Sequence, residues 1–225
     1  MNICLNFYGE SVSLDNAENI INNYLKDDAN TYHILFTTWD TTDDSFSEKF
    51  AGSYVKKYVR DVEVISNYVD RYSDVEICSS NPEKSVETVV SDLYIKSKSI
   101  DTINSFIAET GTTFDLIITT TTDLYLNCPV FGKRNVDIIN DCGTSTIFIP
   151  NGFNFDIHGE ESCSTKIVIT DYNNTVKVTE QLNDLDTHVL TIDDKKIYHP
   201  ETCYFRYLCA SGLNLVRLFF SAATI

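Results

Sequence analysis

The sequence is poor in basic residues relative to acidic ones. Among its 225 residues, 17 Lys and Arg stand against 33 Asp and Glu, which gives a formal net charge of −16 at pH 7. A net charge of this sign repels the phosphate backbone of nucleic acids at long range, so DNA or RNA binding is disfavoured. An anionic small ligand would need a local cation, either a metal ion or a few placed basic side chains.

Long apolar runs and paired cysteines are also missing. No stretch approaches the roughly 18 apolar residues of a membrane span, and residues 1–9 lack the basic start of a secretory signal. Seven cysteines occur without a CxxC pair, which indicates reduced thiols rather than a disulfide framework or a zinc ribbon. We therefore predict a cytoplasmic protein without a transmembrane segment. The sequence leaves the oligomeric state open.

The familiar short site motifs are absent as well. The sequence contains no Rossmann glycine motif, P-loop, HExxH, GxSxG or EF-hand loop, and its four histidines show no metal-ligand spacing. These absences remove the main sequence support for a dehydrogenase, a P-loop NTPase, a zinc protease or an α/β-hydrolase. What is present, 43% hydrophobic residues with 13 Tyr and 13 Phe, is typical of a globular protein.

The hydrophobic pattern predicts strands that alternate with helices. Strands are predicted at 3–8, 32–37, 62–65, 114–120, 144–150, 188–192 and 213–219. Helices are predicted at 14–25 with Ser13 as cap, weakly within 46–59, from a cap at Asn81 to Gly111, and from Pro200 through Leu208 up to Gly212. Residues 167–182 fit either a strand or a helix. Since no linker interrupts this order, we expect one α/β domain over 1–225, with a central, mostly parallel sheet flanked by helices.

Polar residues that follow the strands are the candidates for a site, because ligands of open α/β sheets bind outside the carboxyl ends of the strands. Tyr8 and Gly9 follow the first strand, Asp40 follows the second, and Thr121 and Asp123 follow the central one. An aromatic side chain beside a glycine could stack on a base or sugar while the backbone approaches closely. Plain packing of Tyr8 and a capping or solvated role for Asp40 are the alternatives.

Asp123 is the most informative candidate, because a carboxylate after a central strand must pair, cap or hold a cation. Magnesium and manganese ions are held by one or two carboxylates together with substrate phosphate oxygens, so Asp123 could hold a metal diphosphate. The alternative is a turn aspartate that bonds its own backbone. Lys96, assigned to the polar side of the long helix, could reach a diphosphate or could simply be solvated.

Four short segments together resemble small glycosyltransferases of the GT-A type, similar to those of large DNA viruses and bacterial surface-polysaccharide clusters. The segments are Phe7-Tyr8-Gly9, Thr37-Thr38-Trp39-Asp40, residues 114–118 with 122–125, and Tyr198-His199-Pro200-Glu201. The resemblance implies a GT-A-like, Rossmann-like domain that moves a hexose from a nucleoside diphosphate sugar, a UDP-sugar in our interpretation, to a glycan acceptor. It places the donor over residues 1–125 and the acceptor over 126–225.

The resemblance also implies roles for particular residues. Mn²⁺ or Mg²⁺ would bind at Asp123. The other assignments are Asp171 and Glu201 as catalytic, Tyr8, Gly9, Asp40, Lys96, Thr121 and Asp123 as donor-binding, and Lys166 and His199 as acceptor-binding.

Two positions depart from the family pattern. Thr121 replaces the acid or arginine that begins the family's acidic motif, and Thr165-Lys166 stands where relatives have Asn-Asp. A lysine can contact phosphate as a point charge but cannot act as a base while it is charged. Three hypotheses therefore stay open: an active hexosyltransferase, a sugar-nucleotide or glycan binding module of the same fold, and an α/β interaction protein.

Overall fold

The computed structural model describes residues 1–9, 14–42, 48–78, 85–142, 146–151 and 162–224. The strands are β1 (Asn2–Tyr8), β2 (Thr31–Trp39), β3 (Tyr54–Tyr58), β4 (Val75–Ile77), β5 (Leu116–Thr120), β6 (Leu124–Leu126), β7 (Thr146–Pro150), β8 (Ile167–Thr170), β9 (Leu190–Ile192), β10 (Lys195–Tyr198), β11 (Asn214–Leu218) and β12 (Ala222–Thr224). The helices are α1 (Leu14–Ile20), α2 (Val62–Arg71), α3 (Val86–Thr110), α4 (Lys133–Cys142), α5 (Tyr172–Thr179), α6 (Leu185–His188) and α7 (Pro200–Ala210).

A seven-stranded sheet with the order β11-β7-β8-β5-β1-β2-β3 forms the centre of the fold. Its neighbouring strands are parallel except for β8, which runs antiparallel to both β5 and β7. The predicted α/β class with a mostly parallel central sheet is therefore confirmed. Strands from the first and the second half of the chain lie in this one sheet.

Both faces of the sheet are covered, because alternate residues of its strands are apolar on each side. Ile3, Leu5 and Phe7 of β1 pack on one face with Ala17 of α1 and Ile139 of α4. The opposite face carries α3. The apolar contacts on that face join Cys4, Leu35 and Ile117 of the sheet to Ile103 and Phe106 of α3.

Helix α3 is the element that the periodicity predicted best. It spans 25 residues and ends at Gly111, whose φ of 69° is the left-handed conformation that favours glycine. The helix begins one residue after Ser85, whose hydroxyl accepts a hydrogen bond from the Thr88 amide. The expected cap Asn81 lies outside the described residues, as does Ser13 before α1.

Two neighbouring predictions were wrong. The region predicted as weakly helical contains strand β3, which pairs with β2 at the edge of the sheet, so pairing outweighs the local pattern. The strand predicted at 62–65 is instead the start of α2. Asp61 caps this helix by accepting a hydrogen bond from the Val64 amide.

The ambiguous region 167–182 contains both structures in succession. Residues Ile167–Thr170 form β8, and Asp171 then caps α5, so the strand and helix patterns were each correct for one part. Sequence reasoning missed α4, α6 and the short strands β4, β6, β10 and β12, and the strand predicted from His188 begins at Leu190, because His188 ends α6. Among the helices of the described ranges, none combines the length and apolarity needed to cross a membrane.

Candidate functional site

The carboxyl ends of the central strands bring the candidate residues to one edge of the sheet, which we call the carboxyl edge. Phe7 of β1 is in register with Thr120 of β5, and Thr120 is in register with Ile167 at the start of the antiparallel β8. The residues that extend these strands, Gly9, Thr121 to Asp123, and Lys166, therefore lie at the carboxyl edge. Lys166, which the resemblance assigned to the acceptor, therefore lies at the same edge as the residues assigned to the donor.

Asp123 and Lys166 form an ion pair at this edge. The Lys166 ammonium donates a hydrogen bond of 2.9 Å to Oδ2 of Asp123, and the two side chains are 19% and 21% exposed respectively. Burial, the largest single effect, raises the pKa of Asp123, but the Lys166 charge together with hydrogen bonds from Thr121, Lys166 and the backbone outweighs it, so the pKa of the carboxyl lies below its usual range. Asp123 is therefore a charged carboxylate whose countercharge is an ammonium group of the same chain.

The residues around Asp123 do not fit a resident divalent metal ion. A Mg²⁺ or Mn²⁺ ion needs several oxygen ligands, and within the described residues no group of three or more His, Cys, Asp or Glu side chains is placed to hold one. Asp123 also has its charge matched by Lys166. A metal that enters together with substrate phosphates stays a prediction from the sequence.

The turn that carries Asp123 is held by hydrogen bonds from α1 and β5. The Asn16 side-chain amide donates to the carbonyl oxygens of Thr122 and Leu124, at 2.8 Å and 3.0 Å. The Thr120 hydroxyl donates to the Lys166 carbonyl at 2.9 Å, which fixes the opposite side of the ion pair. Both charged residues therefore extend from backbone that other elements hold in place.

Lys96 lies on the buried side of α3, and the prediction of a polar, solvated side was wrong. The residue is only 3% exposed, and its Nζ lies 3.8 Å from the ring centre of Tyr204 and 6.0 Å from that of Tyr8. Burial, with a further contribution from the Lys166 charge, lowers the pKa of Lys96 to about 7, although Cys163 acts in the opposite direction. Lys96 is therefore a buried amine beside the ion pair.

The groups that face Lys96 carry no negative charge. Burial raises the pKa of Cys163 to about 12 and raises the pKa of Tyr8 and Tyr204 above their ordinary range, so all three are neutral at pH 7. The Tyr8 hydroxyl donates to the Thr165 carbonyl at 3.3 Å, which joins β1 to the Lys166 segment. Among the described residues Lys96 forms no ion pair, although the charges of Asp92, one helical turn before it, and of Asp123 act on the neighbouring Tyr8.

Gly9 provides the turn that follows Tyr8. Its φ of 105° is a conformation that side-chain-bearing residues rarely adopt, and its amide donates to the Thr37 carbonyl at 3.1 Å. No described atom lies within 4 Å of the position that a Cβ would take. The glycine is therefore required by the backbone conformation, and the described residues leave the space beside it open.

The segment His199 to Glu201 begins α7 next to this group. His199 caps the helix, because its Nδ1 accepts a hydrogen bond from the Thr202 amide at 3.3 Å. Its Nε2 lies 3.7 Å from Oε2 of Glu201, and the Glu201 carbonyl accepts a hydrogen bond from the Cys163 amide at 3.3 Å. The structure therefore joins the predicted His199 and Glu201 to the Lys96 surroundings through Cys163.

Asp171 is not brought to the carboxyl edge. It follows the last residue of β8, and because β8 is antiparallel, Asp171 lies at the opposite end of the sheet, near the start of β5. Its carboxylate accepts a hydrogen bond of 2.7 Å from the Asn174 amide and caps α5. The predicted catalytic role therefore has no geometric basis. Asp40 does lie at the carboxyl edge, exposed, two strands away from β5.

Sequence reasoning missed three residues of this site. Asn16 holds the Asp123 turn, and Cys163 and Tyr204, each fully buried, face Lys96. No motif marks Asn16 or Cys163. A signal did exist for Lys96, because position 96 continues the apolar stripe of α3 formed by Val89, Leu93 and Ile103.

A groove of about 450 Å³ lies elsewhere, at the carboxyl end of α7. It is lined by Asp184, Thr187, His188, Arg206, Tyr207, Ala210 and Ser211. Glu201 lies in the first turn of α7, whereas Arg206, Tyr207 and Ala210 lie towards its end, so the groove is separate from the Glu201 end of the helix.

The chain has distant likenesses to solved structures. No protein-family model matches the chain, and no curated protein matches its sequence. Its fold is similar to mouse xyloside xylosyltransferase 1, with a TM-score of 0.46 and 9% identity over 96% of this chain and 84% of that one. It is also similar to a nucleoside-diphosphate-sugar pyrophosphorylase from Vibrio cholerae RC9, with a TM-score of 0.42 and 10% identity over 97% of this chain and 91% of that one.

These likenesses concern the arrangement of strands and helices. With both TM-scores below 0.5, we base no functional argument on them. No sequence match supports the viral and bacterial family that the short segments resemble.

Proposed function

We propose that the chain is a hexosyltransferase of the GT-A type that binds a nucleoside diphosphate sugar, a UDP-sugar in our proposal, at the carboxyl edge and transfers the hexose to a glycan acceptor. The observation that carries the proposal is the grouping of Asp123, Lys166 and the buried Lys96 beside Tyr8. In a protein of net charge −16, two little-exposed lysines at the ligand-binding edge of an α/β sheet favour an anionic ligand there.

The neighbourhood also suits the other parts of a sugar nucleotide. Gly9 leaves open space beside the end of β1, which allows a base or sugar to approach the backbone. Tyr8 itself is 8% exposed, so packing takes most of its ring and its contribution to binding is through the Thr165 segment. Asp40, exposed at the end of β2, is the proposed partner for ribose hydroxyl groups.

Transfer requires that the leaving diphosphate be neutralised and that the acceptor lose a proton. The acceptor hydroxyl oxygen would bond to the anomeric carbon while the bond from that carbon to the diphosphate oxygen breaks, and the hydroxyl proton would pass to a base. Lys96 and Lys166 supply positive charge near the leaving group. Glu201, with a side chain 22% exposed, is the proposed base, and His199 positions it.

A non-catalytic module that binds a sugar nucleotide or glycan is the second candidate. The placement of Asp171 at the far end of the sheet favours it, because that leaves the carboxyl edge with one carboxylate fewer than the sequence predicted. Binding alone needs the lysines and the open space but no base. The two candidates therefore differ in turnover and not in ligand.

The experiment is a calorimetric titration with UDP and UDP-sugars in chelator, in Mg²⁺ and in Mn²⁺, followed by an assay for UDP release. Binding with release of UDP supports the transferase, and binding without release from any UDP-sugar supports the module. Absence of binding under all three conditions contradicts both. The same titrations test the Mn²⁺ or Mg²⁺ predicted at Asp123.

A further inference from the structure

The positive charge at the carboxyl edge is provided by two lysines of different character, Lys96 and Lys166, which we call the lysine pair. Lys166 already has Asp123 as its counterion at 2.9 Å. Lys96 has no ion pair among the described residues: its neighbours are Tyr8, Cys163, Tyr204 and the cationic Lys166, and the Asp92 and Asp123 charges act on Tyr8 without pairing with Lys96. Taken with Asp123, the lysine pair therefore carries an unmatched positive charge when Lys96 is protonated.

Burial of the Lys96 ammonium without a counterion lowers the stability of the folded protein, unless a ligand binds to it. The ammonium can donate three hydrogen bonds, but the described residues give it no ion pair, and the ring centres of Tyr204 and Tyr8 lie 3.8 Å and 6.0 Å from Nζ. An amine this far buried is normally paired, and an isolated one destabilises the fold. The position lies on the apolar stripe of α3, where a methionine or leucine would stabilise the helix without that cost. A function that uses the charge accounts for the lysine.

Lys166 can serve the same ligand without losing Asp123. One of its three ammonium protons is used in the hydrogen bond to the carboxylate, and the others remain to donate to a second acceptor. Asp123 then acts as a positioning residue that holds the Lys166 side chain at the edge. A divalent ion bound by Asp123, by contrast, would have to displace the Lys166 ammonium from that carboxylate.

We propose that the lysine pair, and not a divalent metal ion, supplies the positive charge that holds the diphosphate of the donor. This inference rests on the proposed function for the identity of the donor, and the anion site is argued from the positions of Lys96 and Lys166. Two ammonium groups match two phosphate groups, and the low exposure of both lysines strengthens each contact relative to a surface site.

The test is a titration of the full chain with inorganic pyrophosphate and with UDP, each in excess chelator and in Mn²⁺. The variants are Lys96→Met, which keeps the length of the side chain, and Lys166→Met. The control variant is Lys195→Met, which removes an exposed lysine from a different sheet, where it lies 3.8 Å from Glu76. Each variant replaces one lysine with methionine, and their unfolding transitions show whether each one folds.

We expect both ligands to bind in chelator, with affinity about 10- to 100-fold lower in each of Lys96→Met and Lys166→Met and unchanged in Lys195→Met, since a hydrogen bond to a charged group contributes about that much. Binding that needs Mn²⁺, or equal losses in all three variants, would overturn the inference and leave the transferase proposal standing. Pyrophosphate binding in chelator without any binding of UDP or UDP-sugars would support the anion site and contradict the proposed function.

Discussion

Lys166 Nζ lies 2.9 Å from Oδ2 of Asp123, and this contact joins two residues 43 positions apart at the carboxyl edge. The carboxylate that sequence reasoning assigned to a metal ion thus has a cation supplied by the chain. This contact changes the direction in which several substitutions are expected to alter UDP affinity. If Asp123 binds Lys166 and not a metal ion, removing the carboxylate leaves the Lys166 ammonium without its counterion. If Asp123 instead binds a metal ion, removing the carboxylate removes the positive charge of that ion from the site.

Asp123→Asn is the first substitution whose outcome differs between the two accounts. It removes the carboxylate but keeps the shape of the side chain, so Lys166 loses its counterion and becomes more available to phosphate. We expect UDP affinity in chelator to stay the same or to rise several-fold, measured by calorimetry. A metal-dependent site would instead lose Mn²⁺-dependent UDP binding in this variant, as the sequence alone predicts.

Lys166→Asp should convert the site into one that needs a metal ion. The substitution places a second carboxylate next to Asp123, and two carboxylates with substrate phosphates are a typical Mg²⁺ or Mn²⁺ donor set. We expect UDP binding to be lost in chelator and restored by Mn²⁺. Lys166→Met serves as the control, because it removes the ammonium without adding a ligand. Equal behaviour of the two variants in Mn²⁺ would contradict this prediction.

Lys96→Met should stabilise the protein while it weakens ligand binding. Replacing the buried amine with an apolar side chain of similar volume removes its desolvation cost, so we expect the free energy of unfolding at pH 7 to rise by about 1–3 kcal/mol. Urea denaturation of both proteins measures this difference. A drop in stability would show that Lys96 contributes more through its ring contacts than its burial costs.

The stability difference between Lys96→Met and the natural chain should shrink as the pH rises. Folding lowers the pKa of Lys96 from its ordinary 10.5 to about 7, so between these values the unfolded chain binds more protons than the folded one. The stability of the natural chain therefore increases with pH across this window, whereas the variant lacks this contribution. Denaturation at pH 7 and at pH 9.5 checks it, and a constant difference would contradict the lowered pKa.

Asn16→Ala should loosen the turn that carries Asp123. The side-chain amide donates to the Thr122 and Leu124 carbonyls, and its loss leaves both without that donor. We expect a decrease of about 1–2 kcal/mol in the free energy of unfolding. We also expect UDP to bind the folded variant more weakly than it binds the natural chain, because the turn that carries Asp123 is less well held. The matched control is Asn23→Ala, which removes the exposed hydrogen bond from Asn23 to Asn19; Asn23 lies in the π-helical turn Ile21–Leu25 that continues α1.

The long and strongly periodic elements could be predicted from the sequence, and the short or edge elements could not. Helix α3 has a sustained apolar stripe and a glycine at its end, and these local features determined it correctly. Strand β3 is half-buried throughout and forms because β2 offers it an edge, which is a tertiary effect that no local pattern contains. Helix α2 begins at the Asp61 cap, but its first residues include the β-branched Val62, Val64 and Ile65, which is a pattern typical of a strand.

The site was predicted in part, for similar reasons. The rule that ligands bind at the carboxyl ends of strands correctly placed Gly9, Asp40 and Asp123 at one edge. Lys166 lies near Asp123 because β8 is antiparallel to β5, and the same direction places Asp171 at the opposite end of the sheet. The direction of a strand cannot be predicted from a single sequence. The prediction for Lys96 was wrong because lysine is usually exposed, whereas position 96 belongs to the apolar stripe of α3 and is buried.

The most direct test of the account is the affinity of UDP for the full chain in excess chelator, compared between the natural protein and Lys96→Met. Calorimetry should show binding to the natural chain without any divalent ion and a loss of about 10-fold or more in the variant. Binding that appears only when Mn²⁺ or Mg²⁺ is added, and that Lys96→Met leaves unchanged, would contradict it.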